Sequence, residues 1–456
     1  MKKSHYFKNG ILLLTIILLS TACRSTNNQK NVSNRDIVET TNITVKSDDI
    51  ERLSLSDCQI LNKVYLNIIG LDDKGMFLGL GYGPTGDGYR EKAVYKFNFE
   101  GDLKEIIEKG VHTYANVNKE PENSNTYYYF QENENQSKVQ LMRVNYNEFS
   151  DQKLAEFDDE DVLLSTPFIF VNQQDLYYFN INDNCLYRRS FSDSVKVKLL
   201  DNVGEIENML FYKDTAYILL PNKCVKVNLK TNLSETIFEE KMIGWGEKQI
   251  YYLNKQNEIC IYDISDSKTK VIGKLDQGIS YDQCVLNEKK QKIYFTGTKD
   301  TKLTLYEYNL GNGENTMRLQ SENKEDAFSN PYFMGKWVAV ISYPTSTIYY
   351  WNSDESDTIK EIQSIGINSI VEVNSEADKS DLLYTFEDEK KLGLLDMEHD
   401  KNYNIDISSL ISETKHPISF WYFNENTIYG QDICDWDLGE NNPDGFYKIK
   451  LNTLLN

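Results

Sequence analysis

The chain has 456 residues, with 49 lysines and arginines against 70 aspartates and glutamates, for a formal net charge of -21. So acidic a chain repels nucleic acid and anionic membrane surfaces, which excludes both as electrostatically favoured partners. A cationic partner, or plain solubility outside the cell, fits the charge.

The first 22 residues predict export. Lys2, Lys3 and Lys8 form a positive start, and residues 11–19 (ILLLTIILL) form an apolar run interrupted by Thr15 alone. Nine residues fall short of the ~20 needed to span a bilayer but suit the core of a signal peptide. The run passes through Leu19-Ser20-Thr21-Ala22 into Cys23. This stretch resembles the lipobox of bacterial lipoproteins, with the leucine one step earlier than that family places it. The resemblance implies cleavage before Cys23, a lipid on its thiol, and attachment to the outer face of the cell membrane through that lipid alone. An ordinary signal peptide cut after Ala22, or a permanent membrane helix, are the alternatives. Low proline, abundant Lys, Asn and Ile, and an excess of Lys over Arg look like a low-GC Gram-positive genome. Loss of the leader removes three lysines and no acids, taking the charge from -21 to -24.

Residues 24–48 are rich in Asn, Ser, Thr and charge and show no apolar period, so they cannot bury enough surface to fold. They predict a flexible tether, reaching roughly 25–30 Å as a random coil. The expected organisation is therefore a leader at 1–22, the lipidated Cys23 with its tether to 49, and one domain over 50–456.

That domain repeats. Short strings of apolar residue, aromatic, then aromatic or apolar residue centre on Phe77, Tyr127, Tyr177, Tyr217, Tyr251, Tyr294, Val338, Tyr384 and Tyr429, 34 to 50 residues apart with a mean of 44. This is the period of a four-stranded propeller blade. Within a unit, residues 249–263 run as β-formers, then a turn of Asn, Lys and Gln, then β-formers again, and residues 176–191 and 293–310 repeat the design. These hairpins predict the middle two strands of each blade, with pieces such as 269–272 and 283–286 as outer and inner strands. Helical patterns are almost absent, the nearest being 103–109, so a parallel α/β sheet is excluded.

The fold predicted is all-β, a single β-propeller of four-stranded antiparallel blades. Nine units are countable, but nine-bladed rings are rare, so eight blades are expected within a range of seven to nine. The C-terminal run 446–451 is expected to help close the ring by pairing with the start of the domain. The strings Leu176-Tyr177-Tyr178-Phe179, Leu186-Tyr187-Arg188 and 93–102 (AVYKFNFEGD) resemble the TolB-like and YWTD-type propellers and a related bacterial domain of unknown function. That resemblance implies a fold and no activity.

Residues 81–86 match G-x-G-x-x-G, but Pro84 and the strand-like 94–97 that follows point to a hairpin loop, not to the helix a dinucleotide needs. Outside the leader, His112, His399 and His416 show no metal-ligand spacing, and Cys58, Cys185, Cys224, Cys260, Cys284 and Cys434 show none either. Several of these cysteines sit in apolar β-like runs and are expected as buried free thiols, with disulfides as the alternative. No cofactor, metal or catalytic residue is assigned. The acidic run 156–161 predicts an exposed interblade loop. The candidate partner-binding loop is 432–445, where Asp432, Asp435 and Asp437 flank Trp436. Its ligand pattern departs from a calcium loop at Gly439, and an exposed aromatic among acids suits anchoring a partner.

The function expected is a non-catalytic, lipid-anchored, monomeric surface propeller that binds a protein or cell-envelope ligand. A polysaccharide hydrolase or lyase on the same scaffold is the alternative, since 70 acids guarantee that some carboxylate pairs meet.

Overall fold

A strand covered on both faces must present apolar side chains in both directions, so it appears in sequence as a continuous apolar run. The recurring strings are such strands. In the computed structural model, which describes residues 34–53, the strands between 65 and 157 and most of 169–451, each of the nine string centres lies on the second strand of its own sheet. Sheets 1 to 9 occupy 65–105, 113–157, 169–200, 208–238, 241–274, 280–320, 327–363, 367–406 and 418–450. Sheet 5 shows the plan: Lys241–Trp245, Gln249–Leu253, Glu258–Asp263 and Lys268–Lys274 pair in that order, antiparallel throughout. In each sheet we call the four strands A to D, from the inner edge to the rim. Sheet 7 differs in dividing its A strand into Ala327–Phe328 and Tyr332–Met334, both paired to Trp337–Tyr343.

The B strands are the core. Leu176, Tyr177 and Tyr178 are each 0% exposed, as are Val338, Ala339, Val340 and Ile341. Alternate side chains go to opposite neighbours. Tyr178 packs with Leu141 and Phe157 of sheet 2, while Tyr177 packs with Ala216 and Ile218 of sheet 4. The same alternation joins sheet 4 to 5, 5 to 6, 6 to 7, 7 to 8 and 8 to 9. Face-to-face packing of consecutive meander sheets makes the fold a β-propeller.

The repeat alignment slips by one residue in sheets 7 and 8. The central tyrosines of sheets 3 to 6 face the following sheet, but Val338 and Tyr384 face the preceding one. A one-residue shift exchanges the two faces of a strand, so Ala339 and Leu383 are the positions equivalent to Tyr294. Tyr384 instead lies flat over Gly393, where a Cβ would sit 1.9 Å from the ring.

Two expectations are corrected. Nine sheets are described, not eight, because every sequence unit supplies one. The tether also ends earlier than predicted: residues 34–49 are not a free coil. Asn34–Ile37 adds in parallel to the D strand of sheet 7, Thr358–Gln363, and Thr40–Thr44 adds in parallel to the D strand of sheet 8, Lys401–Asp406. Ile50–Leu53 then pairs antiparallel with Phe446–Lys450 and supplies the D strand of sheet 9. Low apolar content hid this strap, which turns three of its four apolar side chains inward. Val38, Ile43 and Val45 are 8%, 7% and 1% exposed.

The expected C-terminal closure is present. The strand 50–53 leaves the rim of sheet 9 and leads through 54–64 to the A strand of sheet 1, Tyr65–Leu71. This is the same D-to-A step that joins every other consecutive pair, so the order of sheets is cyclic. Leu103–Glu105, the nearest thing to a helix in sequence, is the D strand of sheet 1. The one α-helix among the described residues, Ser408–Glu413, lies between sheets 8 and 9.

Candidate functional site

In an antiparallel meander the A–B and C–D connections emerge at one end of the sheet, and the B–C and D–A connections at the other. The ring therefore has two unlike faces.

The A–B/C–D face is stitched, and its connections span two to five residues except for 371–380 in sheet 8. Gln173, Lys213, Gln291 and Gly335 turn the A–B corners with positive φ. From these corners and the strands beside them, side chains reach the C–D turn of the next sheet. Arg188 donates to the Leu229 carbonyl (2.5 Å), and the Tyr217 hydroxyl donates to the Ile264 carbonyl (3.2 Å). Lys290 pairs with Asp354 (2.7 Å) and Lys336 with Glu398 (2.9 Å). Tyr350 donates to Asp400 (3.0 Å), which Lys360 also engages. Deeper in the same joint of sheets 6 and 7, Glu307 accepts from Lys292 Nζ (2.7 Å), Arg318 Nη2 (2.8 Å) and Arg318 Nε (3.2 Å), and Lys292 also donates to the Ser353 carbonyl. Burial pushes the Glu307 carboxyl up, but the two cations more than offset it and hold it below the usual carboxylate range. Sequence gave no sign of these stitches, because partners such as Lys290 and Asp354 lie 64 residues apart.

The B–C/D–A face carries the longest connection between two strands of one sheet. Its B–C connections span two to four residues in sheets 3 to 8, six in sheet 2, seven in sheet 1 and thirteen, 433–445, in sheet 9. Asp432 is the last residue of the B strand Thr427–Asp432, backbone-paired with Ile418. Asp435, Trp436 and Asp437 lie outside the described residues, on the thirteen-residue connection. The glycine motif begins inside a strand: Gly81 pairs with Leu66 and Ala93, Gly83 pairs with Glu91, and strand Glu91–Phe97 follows where a dinucleotide site needs a helix.

On this face in sheet 3, Asp183 accepts from the Tyr187 hydroxyl, and Lys198 Nζ lies 2.7 Å from Asp201 Oδ1. The Cys185 thiol points at Asp201 (3.5 Å). The Tyr187 hydrogen bond lowers the Asp183 pKa, while burial and then Asp201 raise that of Cys185. Both effects disfavour the thiolate, the form in which a cysteine acts as a nucleophile. Cys185, Cys224 and Cys260 are buried thiols outside any disulfide, as expected, and Cys284 is half-buried; Cys23, Cys58 and Cys434 lie outside the described residues. Burial pushes Cys224 up to about 12.

His399 is exposed and 2.7 Å from Asp396, an ordinary turn pair, while His112 and His416 lie outside the described residues. Among the described residues no group of three or more His, Cys, Asp or Glu could hold a metal ion. Glu156, at the head of the acidic run, is not in a loop. It sits on strand Ser150–Phe157, bonded to Lys138 and Lys153 (3.1 Å each).

The sequence matches no family model and no curated protein. Among solved structures it is similar to the β-propeller domain of the trilobed protease from Pyrococcus furiosus, at 12% identity over 66% of this chain and 97% of that one, with a TM-score of 0.33. It is also similar to the C-terminal WD40 domain of Sif2 (11% identity, 74% and 97% covered, TM-score 0.39). A third is a post-proline cleaving enzyme from Rickettsia typhi (9% identity, 75% and 59% covered, TM-score 0.35). The assignment of the fold rests on the strand order given above.

Proposed function

We propose that the protein is a lipid-anchored, non-catalytic binding propeller of the bacterial cell surface. Cys23 carries the anchor, and the B–C/D–A face, centred on the 433–445 connection of sheet 9, takes a protein or cell-envelope ligand. The observation that supports this reading is the inequality of the two faces. One carries corners of two to five residues, apart from the ten-residue connection 371–380 of sheet 8, and ion pairs running from sheet to sheet, while the other carries the thirteen-residue connection with Asp435, Trp436 and Asp437. An aromatic flanked by carboxylates on a rigid scaffold suits a cationic or hydroxyl-rich ligand, the aromatic supplying contact area and the acids supplying orientation.

The test is binding of the purified chain beginning at Cys23 to isolated cell-envelope glycan and to envelope protein extract, compared with Trp436→Ala. At least a tenfold loss of affinity for one fraction, with thermal stability unchanged, is the expected result. Equal binding by both proteins removes the loop from the reading. Turnover of the glycan that disappears on substitution of a single carboxylate would replace binding with catalysis. Intact mass of the membrane-extracted protein tests the anchor: residues 1–22 absent and a diacylglyceryl adduct present, with neither change in Cys23→Ala.

A further inference from the structure

We propose that residues 34–49 are a releasable reserve of leash, held on the rim in two sections that can be peeled off without opening the ring. Its use at a membrane rests on the lipidation of Cys23 proposed above; the release itself does not.

The three strap strands are not equivalent. Sheets 7 and 8 already contain an A-to-D set of their own, so Asn34–Ile37 and Thr40–Thr44 are supernumerary. Sheet 9 has three strands of its own, Ile418–Asn424, Thr427–Asp432 and Phe446–Lys450, and needs Ile50–Leu53 as its fourth. A pull on the N-terminal chain thus meets two dispensable strands before the indispensable one.

Their holds rise along that path. The first is four residues long, with Arg35 over the Tyr349 ring (5.3 Å) and near Glu361 (3.9 Å), and ends where the Val38 amide donates to the Glu361 carbonyl (3.0 Å). Ile37 is 66% exposed, so only Val38 plugs into the core between sheets 7 and 8. The second section is read by side chains. The Tyr384 hydroxyl donates to Asn402 Oδ1 (2.9 Å), and Asn402 Nδ2 donates to Thr40 Oγ1 (3.0 Å), a buried relay from the B strand of sheet 8 to the strap. Val45 packs with Leu394, Ile405 and Ile407, its amide donates to the Asp406 carbonyl (2.9 Å), and its carbonyl accepts from Ser409 Oγ (2.8 Å). With both sections bound, ten residues, 24–33, separate Cys23 from the rim. With both released, twenty-six residues, 24–49, separate Cys23 from the closing strand. Release of both sections thus adds sixteen residues of chain, whose own mean reach as a random coil is about 22 Å.

The test is single-molecule stretching of the chain from Cys23 to Asn456, with handles at the Cys23 thiol and the C-terminus and with Cys58 and Cys434 replaced by Ser. Because the Cys23 thiol carries the handle, an unlipidated protein in the cell leaves the result untouched. Two small, reversible extensions before the main unfolding event are expected, the first releasing residues 34–39 and the second 40–49, each below about 35 Å. In Thr41→Cys/Tyr403→Cys, whose residues are direct neighbours across the parallel pair, oxidation should abolish the second extension and leave the first. A single opening event with no precursor, or precursors that the staple does not alter, overturns the proposal. A second measurement covers the folding risk: deletion of 24–49 should keep one cooperative melt, whereas deletion of 24–53 should lose it. Loss of the cooperative melt in the shorter deletion also overturns the proposal.

Discussion

The rims of sheets 3 to 5 and of sheets 7 to 9 solve one problem in two ways. An outermost strand leaves a row of backbone donors and acceptors that invites another chain to pair. In sheets 3 to 5 the outermost strands are left open and charged: Lys196 and Lys198, then Glu235, then Lys268, Lys270 and Lys274, with the first four residues of Lys268–Lys274 all exposed. In sheets 7 and 8 the D strand is covered by the chain's own N-terminal residues, which become the outermost strands, and in sheet 9 the N-terminal Ile50–Leu53 is itself the outermost strand. The uncovered strands are set by composition alone, whereas the covered ones are set by specific side-chain seats, such as Asn402 for Thr40. Charge marks the first rim, and on the second the D strands of sheets 7 and 8 are paired with strap strands that the proposed release would uncover.

The largest effect that sharpens this comparison lies at the joint between the two regions. Glu307, in sheet 6, holds two buried cations, so Glu307→Gln should cost about 3–5 kcal/mol of unfolding free energy in denaturant titrations by leaving Lys292 and Arg318 without their counter-charge. Because the folded state keeps this carboxyl below the usual glutamate value, its stabilisation is complete at neutral pH and is lost as pH falls through that lowered value. Thermal melts should therefore weaken on acidification below about pH 4.5, and the Gln variant should show a shallower acid limb. Equal limbs in the two proteins would mean that the triad does not govern the joint.

Next comes a matched pair of valines. Val45 on the strap is 1% exposed and Val271 on the open rim is 52% exposed. Val45→Ala should cost about 1–3 kcal/mol and Val271→Ala less than about 0.5 kcal/mol. Equal costs would erase the distinction between the rims. Asn402→Ala should cost about 1–3 kcal/mol, since it leaves the buried Tyr384 hydroxyl without its acceptor, and limited proteolysis should cut within 34–45 faster than in the parent. The smallest change in stability comes from Lys268→Thr/Lys270→Val. Its melt should stay within about 0.5 kcal/mol of the parent, but gel filtration should show concentration-dependent self-association that the parent lacks. A monomeric double variant would show that the lysines are not what protects the open edge.

What the sequence disclosed and what it hid follow from the same physics. Strands enclosed on both faces must be apolar throughout, so Leu176-Tyr177-Tyr178 and its counterparts announced nine sheets, and local turn chemistry such as Asn184 at positive φ announced the hairpins. Blade number was misjudged because the rarity of nine-bladed rings was weighed above nine legible units. The strap was missed because parallel addition at an edge uses backbone bonds, which leave no compositional trace, and needs just Val38, Ile43 and Val45 to face inward. The stitched face was illegible because its partners are distant in sequence. The candidate loop at 432–437 stays a proposal drawn from its acids and Trp436; of it the structure describes Asp432, the last residue of the B strand of sheet 9, after which thirteen residues lead to the C strand.

The account turns on that completion, so the most direct measurement is a cross-link between Glu51 and Lys448, direct neighbours in the closing pair. In Glu51→Cys/Lys448→Cys, with Cys58 and Cys434 replaced by Ser, mild oxidation should yield one intramolecular disulfide, identified by peptide mass mapping, and raise the melting temperature over the reduced form. If residue 51 fails to cross-link to 448 while the protein remains folded, the N-terminal strand does not close sheet 9. The strap and the cyclic order of the sheets would then fall with it.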